Sequence, residues 1–168
     1  RWLLFAYLLP TGLALVLTGG QVLVADAWGR VEVLEASAGA PIWSAQRQGW
    51  GEAGMVVEAG RCYLGSADGW LYALAAADGS EVWRLYTGAS LPSKPLASQG
   101  QLYTAARSGQ LLQVDLLSGT RLGQADTQSP VVAGPVGAED RLVVGCEDGY
   151  VRAFRQQSLA PPWQQRLT

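Results

Sequence analysis

Short apolar runs and glycine-containing turns alternate along this chain with a period of 40 residues. Two series of glycines keep the period without insertion or deletion. The first series is Gly29, Gly69, Gly109 and Gly149, and the second is Gly39, Gly79 and Gly119. A fixed period in this range is typical of repeat architectures, in which each repeat is one supersecondary unit. The pattern therefore predicts four copies of a single structural unit.

The second copy shows the first half of the unit most completely. The apolar run 62–64 leads to Asp68-Gly69, and a second run, 70–74, follows directly. Aromatic and β-branched residues favour a pleated, half-buried surface, so both runs are predicted to be strands. Asp-Gly between two apolar runs predicts a tight hairpin, whose type I′ turn needs φ > 0 at both central residues.

Two further short runs complete each copy. A turn at Gly79 precedes a run that carries Trp83, and an earlier run, 55–57, lies ahead of the hairpin. Each copy is therefore predicted to be a blade of four short antiparallel strands, and such blades repeated around an axis form a β-propeller. The predicted fold class is all-β. The four blades are expected at about 11–46, 51–87, 91–125 and 131–167.

The N-terminal segment fits two interpretations. Leu15 lies 40 residues before Met55, so residues 13–17 are expected to form the first strand of blade one. Residues 1–10 are then the outer strand of a preceding blade. Alternatively, this apolar segment belongs to a secretory signal peptide.

The predicted strands also bear on ring closure. Blade four contains its own outer strand around Trp163, so a strand from the N-terminal segment is not needed to complete it. We expect a part of a larger propeller, half of a ring of about seven or eight blades. A closed ring of four blades is the alternative.

Two positions depart from the repeat. Gly123 stands where the period places a tryptophan, and residues 159–162 replace the second turn glycine of blade four. These departures are expected to weaken packing locally without erasing the period.

The stretch from Ala73 to Trp83 resembles the tryptophan-docking motif of propellers of the pyrroloquinoline-quinone (PQQ) type, Ala-x-Asp-x-x-x-Gly-x-x-x-Trp. Blade two carries Ala75 in place of the motif's aspartate, whereas Glu35 and Asp115 keep an acid in that phase. The resemblance implies that the tryptophan of one blade packs on the next blade near a turn glycine. The implied docking tryptophans are Trp43, Trp83 and Trp163, and the seven glycines of the two series complete the docking set.

Charge and composition narrow the function. The net charge is −2, charged residues are 15% of the chain, and no basic run is present, so nucleic-acid binding is not supported. The sequence has no histidine, which removes histidine-based catalytic and metal sites. Cys62 and Cys146 fall in different phases of the repeat, so they are expected to be unpaired, buried, small apolar side chains.

The resemblance implies two functional groups. One comprises dehydrogenases that bind PQQ and calcium, and the other has lost the cofactor and serves as a protein-binding scaffold. Asp68, Asp78 and Asp148 precede turn glycines, and turn chemistry accounts for them without catalysis. We therefore predict a non-catalytic scaffold of the BamB-like branch, with no cofactor and no metal. The alternatives are part of a PQQ/calcium-dependent alcohol or sugar dehydrogenase, or a ligand-sensing domain of a receptor or kinase.

The expected partner is a protein, bound by loops at the ends of the ring. These loops lie around 46–51, 87–94 and 127–134. Trp28, Trp50 and Trp70 lie outside the docking phase, so each is either a contact residue or part of the packing between blades. Membrane association is expected only through flanking sequence, and the resemblance implies a periplasmic or otherwise extracytoplasmic location.

Overall fold

The computed structural model describes residues 14–26, 28–47 and 54–167. Within these ranges the chain forms sixteen strands. In chain order they are β1 (Ala14–Thr18), β2 (Gln21–Ala25), β3 (Arg30–Glu35), β4 (Pro41–Gln46), β5 (Met55–Glu58), β6 (Arg61–Gly65), β7 (Trp70–Ala75), β8 (Glu81–Tyr86), β9 (Leu96–Ser98), β10 (Gln101–Ala105), β11 (Gln110–Asp115), β12 (Arg121–Asp126), β13 (Val131–Ala138), β14 (Arg141–Cys146), β15 (Tyr150–Arg155) and β16 (Trp163–Arg166). The described residues include no helix that is long and apolar enough to cross a membrane.

The strands form four antiparallel sheets, and each sheet pairs four strands in sequence order. Blade one is β1–β4, blade two is β5–β8, blade three is β9–β12 and blade four is β13–β16. This arrangement confirms the predicted all-β fold with four-stranded blades. Strand β1 covers most of the predicted first strand, whereas the two interpretations of residues 1–10 concern a segment outside the described residues.

The prediction of a type I′ turn at Asp68-Gly69 is wrong. Only the glycine of this pair has a positive φ, +87°, and its N–H donates to the carbonyl of Ser66 at 3.2 Å. The loop therefore closes over four residues, and the glycine takes the left-handed position at its end. Two-residue turns with positive φ at both positions instead join the first and second strands of three blades. They are Gly19–Gly20, Ala59–Gly60 and Gln99–Gly100.

Three apolar clusters lie between successive blades, and each draws side chains from two sheets. The cluster between blades one and two includes Leu23 and Leu64, both fully buried. The next cluster joins Tyr63 to Leu112, and the third joins Tyr103 to blade four. Burial of apolar side chains between sheets therefore stabilises the stack of blades. No such cluster joins blade four to blade one within the described part of the chain.

Both cysteines are free and buried. Cys62 lies in the cluster between blades one and two, and Cys146 lies in the cluster between blades three and four. Burial raises the pKa of the Cys62 thiol to about 12, because the thiolate loses its hydration there. Cys62 is therefore an unreactive packing residue in the folded chain.

Candidate functional site

Trp43 of blade one lies over a turn of blade two. Its indole N–H donates to the carbonyl of Ala76 at 2.9 Å, and its ring covers Gly79, which has φ +73°. A Cβ at Gly79 would lie 2.6 Å from Trp43 Cε3, so only glycine leaves room for the ring. Arg47 adds a hydrogen bond of 3.2 Å to the Gly79 carbonyl. The indole thus packs into the space that the turn leaves open because its glycine has no side chain.

Trp83 repeats this arrangement between blades two and three. Its indole N–H donates to the carbonyl of Leu116 at 3.3 Å, and a Cβ at Gly119 would lie 2.6 Å from Trp83 Cδ2. The Tyr63 hydroxyl donates to the same carbonyl at 3.0 Å, and the two aromatic rings are 5.8 Å apart. These contacts have the form that the family motif implies, and their contribution to stability stays a prediction.

Residues from both blades lie at the place of the missing indole at Gly123, and the weakened packing expected there stays a prediction. Leu159, which occupies the turn-glycine phase of blade four, is 4% exposed. Its Cδ1 lies 3.5 Å from where a Cβ on Gly123 would be. Gln113 donates from Nε2 to the carbonyl of Gln156 at 3.3 Å, in the phase of the carbonyls that accept from Trp43 and Trp83. The Leu159 side chain therefore supplies the apolar volume, and the Gln113 amide supplies the N–H donor, that an indole supplies at the other interfaces.

Trp163 and Gly39 occupy docking positions of the repeat, but neither makes a docking contact in the described blades. Trp163 is 41% exposed on the outer face of blade four. A Cβ at Gly39 would meet nothing within 4 Å. Their predicted docking role is therefore untested by contacts within this chain.

The remaining docking glycines, Gly29, Gly69, Gly109 and Gly149, close the loops between the second and third strands. Because neighbouring strands are antiparallel, these loops lie at the same end of each blade as the connector to the next blade. We call this the connector end. The Thr87 hydroxyl donates to the Gly69 carbonyl at 2.8 Å, and Thr127 repeats the bond to Gly109 at 2.7 Å. The predicted partner-binding loops 87–94 and 127–134 are thereby tied to the blades, whereas 48–51 of the first loop lie outside the described residues.

An aromatic and arginine cluster lies at the connector end of blade two. Trp70 and Tyr86 are directly paired across β7 and β8, with ring centroids 5.1 Å apart. The Arg84 guanidinium lies 4.8 Å from the centroid of the Trp70 ring. Tyr86 is 52% exposed, and Trp28 at the same end of blade one is 62% exposed. We call Trp70, Arg84 and Tyr86, together with Trp28 at the connector end of blade one, the aromatic cluster.

The three tryptophans outside the docking phase therefore differ. Trp70 also packs against the apolar cluster of blades one and two, so it serves packing and surface together. Trp28 is exposed, and Trp50 lies outside the described residues. The sequence singled out the tryptophans but missed Arg84 and Tyr86, whose pairing with Trp70 depends on the register of β7 and β8.

Arg152 of blade four is a third residue that the sequence did not point to. It is 7% exposed and binds both carboxylate oxygens of Asp148, at 2.9 and 2.6 Å. The hydrogen bonds from Arg152 lower the pKa of Asp148 below its usual range. Asp148 also accepts from the Tyr150 N–H at 3.1 Å, as its predicted turn role requires. The pair is thus a structural element of blade four.

The other turn carboxylates bind donors of their own turns. Asp68 accepts from the Trp70 N–H at 3.1 Å, and hydrogen bonds from nearby serines lower the pKa of Asp78 and Asp115. Within the described ranges, no group of three or more histidine, cysteine, aspartate or glutamate side chains could hold a metal ion. A calcium ion needs several oxygen ligands, and these carboxylates are held in separate turns.

A family model described as outer membrane protein assembly factor BamB matches residues 9–125 and 68–168. The chain belongs to this family of PQQ-like propeller repeats. The two matches together span almost the whole sequence, which agrees with the motif quoted above. No curated protein matches the sequence.

Solved structures show the same fold at low sequence identity. BamB from Moraxella catarrhalis is 22% identical with a TM-score of 0.77, and the match covers 92% of this chain and 48% of BamB. The computationally designed Ika4 protein is 21% identical with a TM-score of 0.76, over 87% of this chain and 92% of Ika4. Quinohemoprotein alcohol dehydrogenase from Comamonas testosteroni is 18% identical with a TM-score of 0.76, over 95% and 35%. The chain thus spans about half the length of BamB.

Proposed function

We propose that this chain is a non-catalytic propeller scaffold that binds a protein partner through the aromatic cluster at the connector end. The observation that carries the proposal is the set of Trp28, Arg84 and Tyr86, which are exposed, and Trp70, which is half-buried beneath Arg84 and Tyr86. Tryptophan, tyrosine and arginine are the residues that most often dominate the energy of protein interfaces. No residue of the cluster is in the docking phase of the blades.

Tyr86 and Arg84 both contact Trp70 before any partner arrives. Trp70 is anchored in the apolar core, and it supports the Tyr86 ring on one side and the Arg84 guanidinium on another. Glu81 lies 3.6 Å from Arg84 and fixes the guanidinium further. Preorganised side chains lose little conformational entropy on binding, which favours affinity.

The partner class and location rest on the family. Because the matching family is described as an outer membrane protein assembly factor, we propose a partner from the machinery that assembles outer membrane β-barrels. The same family description supports the proposal of a periplasmic location. The chain spans only about half of BamB, so partner and location stand as proposals.

The test is a binding titration of the purified chain against the purified outer-membrane β-barrel assembly complex. Tyr86→Ala and Trp28→Ala should each weaken binding by at least about 30-fold, which corresponds to a hot spot of about 2 kcal/mol. Leu122→Ala is the matched control, because Leu122 is an exposed apolar side chain on blade three, away from the cluster. Equal affinity of all three variants would refute the aromatic cluster as the binding surface.

The dehydrogenase alternative has one observation in its favour, the likeness in fold to a quinohemoprotein alcohol dehydrogenase. Adding PQQ and calcium to the chain and measuring dye-linked oxidation of an alcohol or sugar distinguishes the two functions. We expect no activity, because the described carboxylates are engaged in turns. A ligand-sensing domain is the remaining alternative, and the sequence that flanks the chain in its gene would reveal it.

A further inference from the structure

The outer edge of blade two is open along β8. This strand is the last in the order of its sheet, so no described strand pairs with its outer edge. The Thr87 N–H donates to the Gly69 carbonyl at 2.8 Å, and the register of β7 and β8 then makes Leu85 the next residue that bonds to β7. Because these bonds alternate along an antiparallel pair, the N–H and carbonyl groups of Arg84 and Tyr86 point outward.

The side chains of the same two residues lie on the exposed face of the strand. The Arg84 side chain is 54% exposed, and Tyr86 is 52% exposed. Both contact the ring of Trp70 on the neighbouring strand. A strand that approached this edge would therefore meet free main-chain groups and, beside them, two side chains supported by an indole.

The outer strands of the other blades have the same kind of edge but a different face. The two residues at the positions of Arg84 and Tyr86 are Ser44 and Gln46 in β4, Gln124 and Asp126 in β12, and Gln164 and Arg166 in β16. Among the outer strands that the structure describes, β8 alone combines an arginine with an aromatic residue at these positions. This combination distinguishes the edge of blade two from the edges of the other blades.

We propose that the partner of the aromatic cluster binds as an extended strand that adds to the outer edge of β8. In this mode, main-chain hydrogen bonds supply affinity and alternate side chains supply specificity. The N–H and carbonyl groups of the partner strand bond to the outward groups of Arg84 and Tyr86. Its alternate side chains lie on the face above Trp70. This inference rests on the proposed function, because it specifies how a partner is held at the same site.

The charge of Arg84 indicates the chemistry of the partner strand. Arg84 lies 3.6 Å from Glu81, but a guanidinium has five N–H donors and this one is more than half exposed, so it can bind a second carboxylate. Opposite charges directly across a strand pair are stabilising, and like charges are destabilising. The partner strand is therefore expected to carry an acidic residue opposite Arg84 and an apolar residue beside Tyr86. The same rule disfavours pairing with β8 of a second copy when the two Arg84 side chains are opposite each other.

The first test separates the main chain of β8 from its side chains. The purified outer-membrane β-barrel assembly complex is titrated against Arg84→Ala and Arg84→Pro. Both variants lose the guanidinium, but only Arg84→Pro also loses the outward N–H, so it should bind at least about 10-fold more weakly than Arg84→Ala. Gln124→Pro removes the N–H at the same position of β12 and should leave the affinity unchanged. Equal affinity of Arg84→Ala and Arg84→Pro would overturn the strand proposal.

The second test concerns the acidic residue of the partner strand. Arg84→Glu should bind the same complex at least about 10-fold more weakly than Arg84→Gln, because it places two like charges opposite each other. The difference should shrink at high salt, since the pair is exposed to solvent. Equal affinity of the two variants at low salt would refute an acidic residue opposite this position.

The third test uses the wild-type chain and needs no substitution, so it holds even if Arg84→Pro does not fold. Amide hydrogen exchange is measured residue by residue by NMR, after exchange in the free chain and in the complex. The N–H groups of Arg84 and Tyr86 should exchange at least about 10-fold more slowly in the complex, whereas the N–H of Gln124 should be unchanged. Equal exchange of Arg84 and Tyr86 in both states would overturn the strand proposal.

The outcomes also distinguish this inference from the proposed function. If Tyr86→Ala and Trp28→Ala weaken binding while Arg84→Pro binds like Arg84→Ala, the aromatic cluster is the binding surface and the partner does not add a strand. If Tyr86→Ala and Trp28→Ala bind like the wild-type chain, the proposed function itself is refuted. Circular dichroism and thermal melting confirm that each variant is folded.

Discussion

The interface between blades two and three and the interface between blades three and four fill the same space with different side chains. In the first, Trp83 covers Gly119 and donates to the Leu116 carbonyl. In the second, Leu159 supplies the bulk from the opposite blade, and Gln113 supplies the donor. The requirement therefore belongs to the interface as a whole, which needs one large apolar group and one N–H donor, and not to tryptophan at a single position.

The residues that pair with positions 83 and 123 across the strands also differ between the two blades. Ala73 stands directly opposite Trp83 in the pairing of β7 with β8, where a larger side chain would compete with the indole. At the corresponding pair in blade three, Gln113 stands opposite Gly123. Large and small residues thus alternate so that each interface is filled once, as close packing requires. Leu159 adopts a positive φ of +52°, which costs about 1–2 kcal/mol and is the conformational cost of this solution.

The largest effect is expected from removing the indole between blades two and three. Trp83→Ala should lower the free energy of unfolding by about 3–5 kcal/mol, because it removes a large apolar contact and leaves a cavity. Chemical denaturation measured by circular dichroism checks this. Trp28→Ala is the matched control, because Trp28 is mostly exposed, and it should change stability by less than about 0.5 kcal/mol. An equal change in the free energy of unfolding in both variants would show that Trp83 does not dock the blades.

A smaller loss is expected at the interface that uses leucine. Leu159→Ala should cost about 2–4 kcal/mol, because Leu159 is 4% exposed and fills the place of the missing indole. Leu159→Gly should cost less than Leu159→Ala, since glycine adopts the positive φ without strain and offsets part of the cavity. Denaturation of the two variants measures the difference. If the alanine variant proved the more stable of the two, strain would not matter at this position.

A transplant tests whether the two solutions are interchangeable. Gly123→Trp alone should destabilise the chain, because Gln113 and Leu159 already occupy the space. Adding Gln113→Ala and Leu159→Gly recreates the residues of the interface between blades two and three and should recover most of the loss. The coupling among the three sites, measured as a mutant cycle of unfolding free energies, is expected to be about 0.5–3 kcal/mol. Additive effects would mean that the side chains do not share one space.

The fold could be predicted from the sequence because each blade is formed by residues that are close together along the chain. The spacing of the glycines and of the apolar runs predicted the blades, because antiparallel neighbouring strands need only short turns. The spacing of the tryptophans matched the docking motif. The exchange at Gly123 and Leu159 was read as two separate losses, because the residues are 36 positions apart and meet only across an interface. The turn type at Asp68-Gly69 was missed because the same dipeptide serves two loop lengths. The aromatic cluster was seen only in part, because Arg84 and Tyr86 join it through strand register.

The effect that is smallest near neutral pH concerns the interface between blades one and two, where Cys62 is packed. Burial raises the pKa of this thiol to about 12, above the value of about 8.5 for a free cysteine. The folded state therefore keeps a proton that the unfolded state releases, so the stabilisation is complete below pH about 8.5 and is lost as pH rises towards about 12. Cys62→Ala should flatten the decline of stability with pH in this window, as measured by denaturation at fixed pH values.

The wild-type thiol should also react with a maleimide at pH 8 only at the rate at which the interface opens. Rapid labelling in the native state would show that the contact between blades one and two is looser than its buried side chains imply.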